Sequence, residues 1–164
     1  MTDLGDGVLV IGYGNTLRTD DGLGWYAAER LASDPRLEGA TVIGRHQLTP
    51  ELALDVGRAD LVVFVDASHG PAPGTIAIDS VAPAGHSAAA WSHQLTPSTL
   101  VALARELYGR APEVILVRVG VASLDHGDQL SPALEAAMPA IVDAVATLVA
   151  ERAGSVPVVG QPHA

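Results

Sequence analysis

The chain predicts an α/β fold of three layers, with a mostly parallel, twisted sheet of about five strands between helices. Two observations lead there. The β-rich runs, at 8–11, 41–43, 61–65, 75–78 and 114–121, are short and continuous rather than alternating, as strands buried on both faces are. Helical stretches alternate with these runs, and three of them open with a hydroxyl residue followed by proline, the pair that starts a helix.

Taken in order, the first run passes into the turn Gly12-Tyr13-Gly14-Asn15-Thr16-Leu17-Arg18-Thr19-Asp20-Asp21-Gly22-Leu23-Gly24, and a helix is expected over 22–32. The second run leads to a helix over 50–58, with Thr49 as its cap and Pro50 as its first residue. The third run ends at Asp66, and Pro71-Ala72-Pro73-Gly74 makes a turn into the fourth. The stretch 82–90, rich in Ala, Pro, Gly and Ser, is expected to be a mobile loop. Thr96-Pro97 opens a helix over 97–108 that Gly109 stops, and Ser131-Pro132 opens the closing helix, 131–152. This makes one domain over 1–152, followed by a flexible tail, 153–164, of small residues with Pro and Gly.

The 164 residues suffice for one ordinary core. Hydrophobic residues make up 48% but aromatics only 4%, so that core is aliphatic. Charged residues are 17%, against about 25% in a typical domain, which fits either an apolar patch for a partner or alanine-rich helices. A net charge of −10 without a Lys/Arg cluster argues against nucleic acid and anionic membranes as partners. The absence of cysteine removes disulfides, thiolate nucleophiles and cysteine metal sites. The acidic segment 1–7 lacks a signal-peptide pattern, and Glu135, Pro139 and Asp143 interrupt the longest apolar stretch, 133–150. The expectation is a soluble, cytoplasmic protein with no membrane partner.

In open α/β sheets, ligands gather beyond the carboxyl ends of the strands. Asp20 and Asp21 fall there after the first run, His46 after the second and Asp66 after the third, and His93 precedes a helix that faces the same edge. Carboxylates with imidazole suit a divalent transition metal that keeps open positions for another molecule. Each residue also has a plain structural reading. Asp20 and Asp21 favour the positive end of the first helix, Asp66 suits a turn, and His93 suits capping or packing. His69, His86, His126 and His163 read as solvated. The pentapeptide His46-Gln47-Leu48-Thr49-Pro50 recurs as His93-Gln94-Leu95-Thr96-Pro97, and capping explains only its Thr-Pro half.

Two other chemistries compete. Gly12-Tyr13-Gly14 supplies two glycines of a dinucleotide fingerprint, but Leu17 holds the third position, and the paired aspartates repel a pyrophosphate. Arg45 offers at most a weak 2′-phosphate contact. Ser68 and Ser92 lie near Asp66 and His93, yet nothing resembles a nucleophile elbow.

The set Gly12-x-Gly14-Asn15-x-Leu17-x-x-Asp20-Asp21-Gly22-x-Gly24 resembles the N-terminal signature of the [NiFe]-hydrogenase maturation endopeptidases. The resemblance continues at Asp66-Ala67, Ser92-His93-Gln94-Leu95, Gly120-Val121 and Leu130-Ser131-Pro132, in order over about 8–150. It implies a hydrolase that removes the C-terminal extension of a hydrogenase large-subunit precursor after nickel insertion. It also implies that Asp21, Asp66 and His93 contact the metal and carry the reaction. The family often has Glu where Asp21 stands. Where many members have Asp-Gly-Gly-Thr, this chain has Arg45-His46-Gln47-Leu48-Thr49-Pro50-Glu51, which looks like the subgroup serving NAD(P)-coupled bidirectional hydrogenases. That loop, His46, Gln47, Leu48 and Thr49, is then expected to help choose the substrate. Nickel is expected to arrive in the precursor, held by soft thiolates there, with other divalent ions able to occupy the site in vitro. The partner is the nickel-loaded precursor, and the enzyme is expected to be a monomer. A nickel-dependent escort that binds a metalloprotein precursor without cutting it is the alternative reading of the same residues.

Overall fold

The computed structural model describes residues 7–85 and 95–155, with side chains through 152. Its elements are β1 (Val8–Tyr13), α1 (Leu23–Ala32), β2 (Thr41–Arg45), α2 (Leu52–Arg58), β3 (Leu61–Ser68), β4 (Ile76–Ser80), α3 (Pro97–Tyr108), β5 (Glu113–Gly120) and α4 (Pro132–Ser155). Short 3₁₀ turns at Thr19–Gly22 and Pro35–Leu37 flank α1. The strands form a five-stranded sheet in the order β2-β1-β3-β5-β4. All pairs are parallel except β4 with β5, which is antiparallel at the edge. The expected three-layer α/β architecture is therefore present.

Strand alternation divides the core between the two faces of the sheet. Val10, Val63, Val65, Ile115, Val117 and Val119 pack against Leu23, Ala27 and Leu31 of α1 and against Leu134, Met138, Ile141 and Val145 of α4. On the other face Leu9, Ile11, Val62, Phe64 and Val114 meet Leu52, Ala53 and Val56 of α2 and Leu100, Val101 and Ala104 of α3. Each Val, Leu, Ile, Phe or Met among them, fully buried, contributes about 1.5–3 kcal/mol of transfer free energy. With β1 and β3 covered on both sides, their continuous apolar runs are accounted for.

Several element ends differ from expectation. β3 runs to Ser68, so Asp66 lies inside the strand rather than after it. Thr49 does not cap α2. The helix begins at Leu52 without a side-chain cap, and Thr49 Oγ1 is buried with no hydrogen-bond partner among the described residues. The other two caps hold. Thr96 and Thr99 form a reciprocal capping box on α3, and Ser131 Oγ accepts the Leu134 N–H at 3.4 Å. Gly109 ends α3 in the left-handed region, with φ of 72°.

α4 is not broken at Pro139. It continues for 24 residues, three of which belong to the expected tail. Its stretch Pro132–Arg152 is long and apolar enough to cross a membrane by length and composition. Leu134, Met138, Ile141 and Val145, however, are fully buried against the sheet, so its apolar character is at least in part that of a core helix. Of the loop expected to be mobile, 82–85 is irregular, with the Ala84 N–H bonded to the Ser98 carbonyl at 3.0 Å. The remainder of that loop, and the tail beyond 155, lie outside the described residues.

Candidate active-site cleft

The glycine-rich turn after β1 exists for close packing rather than for phosphate. A Cβ on Gly24 would stand 2.2 Å from the Val65 carbonyl oxygen and 2.4 Å from that of Tyr13. A Cβ on Gly12 would stand 1.9 Å from the carbonyl oxygen of Gly24. The start of α1 is thereby pressed onto β1 and β3, and this approach places the two adjacent aspartates in different surroundings.

Asp20 is fully buried. Its Oδ2 accepts the N–H groups of Ala122 and Ser123 at 2.9 and 3.0 Å and the Ser131 hydroxyl at 2.7 Å, while Oδ1 accepts the Ser131 N–H at 2.8 Å. It ties the loop between β5 and α4 to the first turn and anchors the residue that caps α4. Asp21 is half-buried and accepts the Asn15 N–H at 3.2 Å.

Asp66 projects from β3 on the face occupied by α2 and α3. Neighbouring β1 carries Tyr13 on that same face, and the Tyr13 hydroxyl donates to Asp66 Oδ2 at 2.9 Å. Asp66 Oδ1 accepts its neighbour's N–H, that of Ala67, at 2.8 Å. The Tyr13 ring meets Phe64 edge-on, with centroids 6.4 Å apart, which fixes the phenol. Burial raises the Asp66 carboxyl to about 6, and the charge of Asp21 adds to the rise. The hydrogen bonds from Tyr13 and Ala67 and the proximity of His69 act in the opposite direction. Burial and the adjacent Asp66 likewise push the Tyr13 phenol well above its ordinary value, so it remains a donor.

These groups line one cleft of about 590 Å³, bounded by Tyr13, Gly14, Asn15, Arg18, Asp21, His46, Gln47, Asp66, Ala67 and His69. His46 follows β2, and its ring lies parallel to that of Trp25 on α1, at 4° and 6.1 Å between centroids. Asp21, Asp66, His46 and Gln47 thus come together as the strand order requires. Leu48 does not share the cleft. It is 4% exposed and packs with Leu52 in the core, and Thr49 is absent from the lining. His69, read as solvated from the sequence, does line the cleft, and the signal for it was its place three residues beyond Asp66. His93 and Ser92 lie outside the described residues. Among the described residues, no three His, Asp or Glu side chains stand close enough to hold a metal ion by themselves.

No family model matches the chain, and no curated protein matches it. Solved structures do. A hydrogenase 2 maturation peptidase from a Thaumarchaeota archaeon is 26% identical, with a TM-score of 0.65, over 88% of this chain and 99% of that one. The Escherichia coli hydrogenase maturating endopeptidase HybD is 23% identical, with a TM-score of 0.66, over 88% and 93%. The [NiFe] hydrogenase maturation protease HycI of Thermococcus kodakarensis is 23% identical, with a TM-score of 0.65, over 87% and 92%. The chain has the fold of the [NiFe] hydrogenase maturation proteases, along nearly their whole length.

Proposed function

We propose that this chain is an endopeptidase that removes the C-terminal extension of a [NiFe]-hydrogenase large-subunit precursor once nickel has been inserted. The observation that carries the proposal is the convergence of Asp21 and Asp66 on one cleft at the carboxyl edge of a sheet with this fold. Among the described residues no third ligand stands beside these two carboxylates, which suits a metal that arrives already held by its substrate. In this reading Asp21, Asp66 and His93 complete the coordination of the precursor's nickel and so bring the bond to be cut into the cleft. Hydrolysis adds water across that peptide bond, and the departing amine takes up a proton. His46 and Gln47 face the same space and contribute to substrate choice, while buried Leu48 anchors their loop. The His-Gln-Leu sequence keeps an NAD(P)-coupled bidirectional hydrogenase as the substrate class. We take the enzyme to act as a cytoplasmic monomer.

The test is incubation with nickel-loaded and nickel-free precursor, read by intact mass. Loss of a C-terminal peptide from the loaded form alone is expected. Unchanged mass for both forms overturns the proposal.

A further inference from the structure

We propose that Leu17 and Arg18 form a fixed lip at the mouth of the cleft that reads an apolar residue beside an acidic side chain in the precursor's extension. The inference rests on the proteolytic reading above and specifies the chemistry of the peptide that enters.

Charge is the first observation. The chain has 9 basic residues, all arginine, against 19 acidic ones. Arg30, Arg36, Arg110, Arg118 and Arg152 each sit against a carboxylate of the chain itself. Arg18, like Arg45, Arg58 and Arg105, has no such partner among the described residues, and of these four it is the one that lines the cleft. Among the described residues its guanidinium keeps a planar fork of donors without a partner, a geometry matched to a carboxylate.

Leu17 is the second. At 66% it is the most exposed of the large apolar side chains in the described residues, and it directly precedes Arg18.

The third observation is that this exposure is rigidly held. The Leu17 N–H donates to Asn15 Oδ1 at 2.9 Å, and the Arg18 N–H to the Asn15 carbonyl at 3.1 Å. The Gly127 N–H donates to the Leu17 carbonyl, and the Thr19 N–H to the Gly127 carbonyl, both at 3.0 Å. Thr19 adopts φ of 51°, a strained value for a threonine, and its hydroxyl holds the Asp125 carbonyl at 2.6 Å. The molecule accepts backbone strain to hold the chain beneath an apolar and a cationic side chain in one geometry, so that only the side chains are left to order on binding. The cleft is acidic inside, at Asp21 and Asp66, and cationic at this lip. A peptide with its metal-bearing end inward and a carboxylate outward matches that polarity.

The experiment is steady-state processing of the nickel-loaded precursor by the full chain and by Arg18→Gln, Arg18→Glu and Leu17→Ser, each first shown to be folded by its melting curve. We expect KM to rise about 10-fold for Arg18→Gln, more for Arg18→Glu and about 5-fold for Leu17→Ser, with kcat within about two-fold. Precursors whose extension has its Asp and Glu residues changed to Lys should be poor substrates for the wild type and better ones for Arg18→Glu. Increasing salt should weaken processing by the wild type more than by Arg18→Gln. Wild-type KM in Arg18→Glu, a loss confined to kcat, or equal handling of both precursors by both enzymes overturns the lip. A preference that follows the terminal carboxylate, removed by amidation, rather than the acidic side chains overturns it as stated. If the wild type cleaves neither form of the precursor, the proteolytic reading itself fails, and the lip fails with it.

Discussion

Asp20 and Asp66 are both acidic side chains folded in at the carboxyl edge of the sheet, and the protein completes them differently. Asp20 receives three N–H or O–H donors on one oxygen and one on the other and has no exposed surface. Asp66 receives one donor on each oxygen and opens onto a cleft. A buried polar group that is fully satisfied organises structure, whereas one that is partly satisfied and facing space holds capacity for a ligand. The difference separates an anchor from a carboxylate left open to the cleft, although both are aspartates near glycine-rich or apolar sequence.

The largest expected effect comes from breaking the anchor. Asp20→Ala leaves the N–H groups of Ala122, Ser123 and Ser131 without their acceptor and empties the space between the first turn and α4. A buried donor without a partner costs about 1–3 kcal/mol. The loop between β5 and α4 relaxes part of this, so the loss should be on the order of 3 kcal/mol. Denaturant unfolding measures it. A loss below about 1 kcal/mol removes Asp20 from the role of anchor.

The opposite sign is expected at the other aspartate. Asp66→Asn should abolish cleavage and yet stabilise the fold at neutral pH. The folded Asp66 titrates at about 6, above the ordinary carboxyl value of 3.8, so between those values the folded state holds more protons than the unfolded one. Wild-type stability therefore falls as pH rises through this window. Asn does not titrate, so its advantage grows from about pH 4 to 6 and is constant above about pH 7, reaching about 1–2 kcal/mol after allowance for solvent screening. Urea unfolding of both proteins from pH 4 to 8 checks this. An advantage that shrinks with rising pH contradicts the assignment, and full cleavage by the variant removes Asp66 from the reaction.

Much of the fold was legible because apolar runs and hydroxyl-proline caps are local signals, and β1, β3 and β5 carry them strongly. The direction of β4 was not. It is an edge strand with mostly exposed residues, and its antiparallel pairing depends on the Pro71–Gly74 turn bringing it back beside β5. The site was legible as a set of strand ends. The burial of Asp20 was not, because the donors that bury it lie more than a hundred residues later. Leu48 illustrates the reverse limit. The His-Gln-Leu run read as one recognition element, but its leucine points into the core because an apolar residue at a loop end gains more by burial. Tyr13 occupied the variable place of a glycine motif, and only the register of β1 with β3, Gly12 opposite Val65, puts it next to Asp66.

Tyr13→Phe sharpens the contrast with the smallest change. The ring and its contact with Phe64 remain, and only the donor to Asp66 Oδ2 is lost. Asp66 then keeps the Ala67 N–H alone among its described hydrogen bonds. Because the Tyr13 bond favours the charged carboxylate, its removal raises the Asp66 carboxyl above about 6. The loss of stability should be about 1 kcal/mol at pH 8, where Asp66 is charged, and less at pH 4, where it is neutral. Carboxyl chemical shifts followed through a pH titration read the change directly. An upward shift with intact folding makes Asp66 still less like Asp20, which is what a group held for ligand binding predicts. A downward shift, or an equal loss of stability at both pH values, means that Tyr13 serves packing alone and that the carboxylate is oriented by other groups.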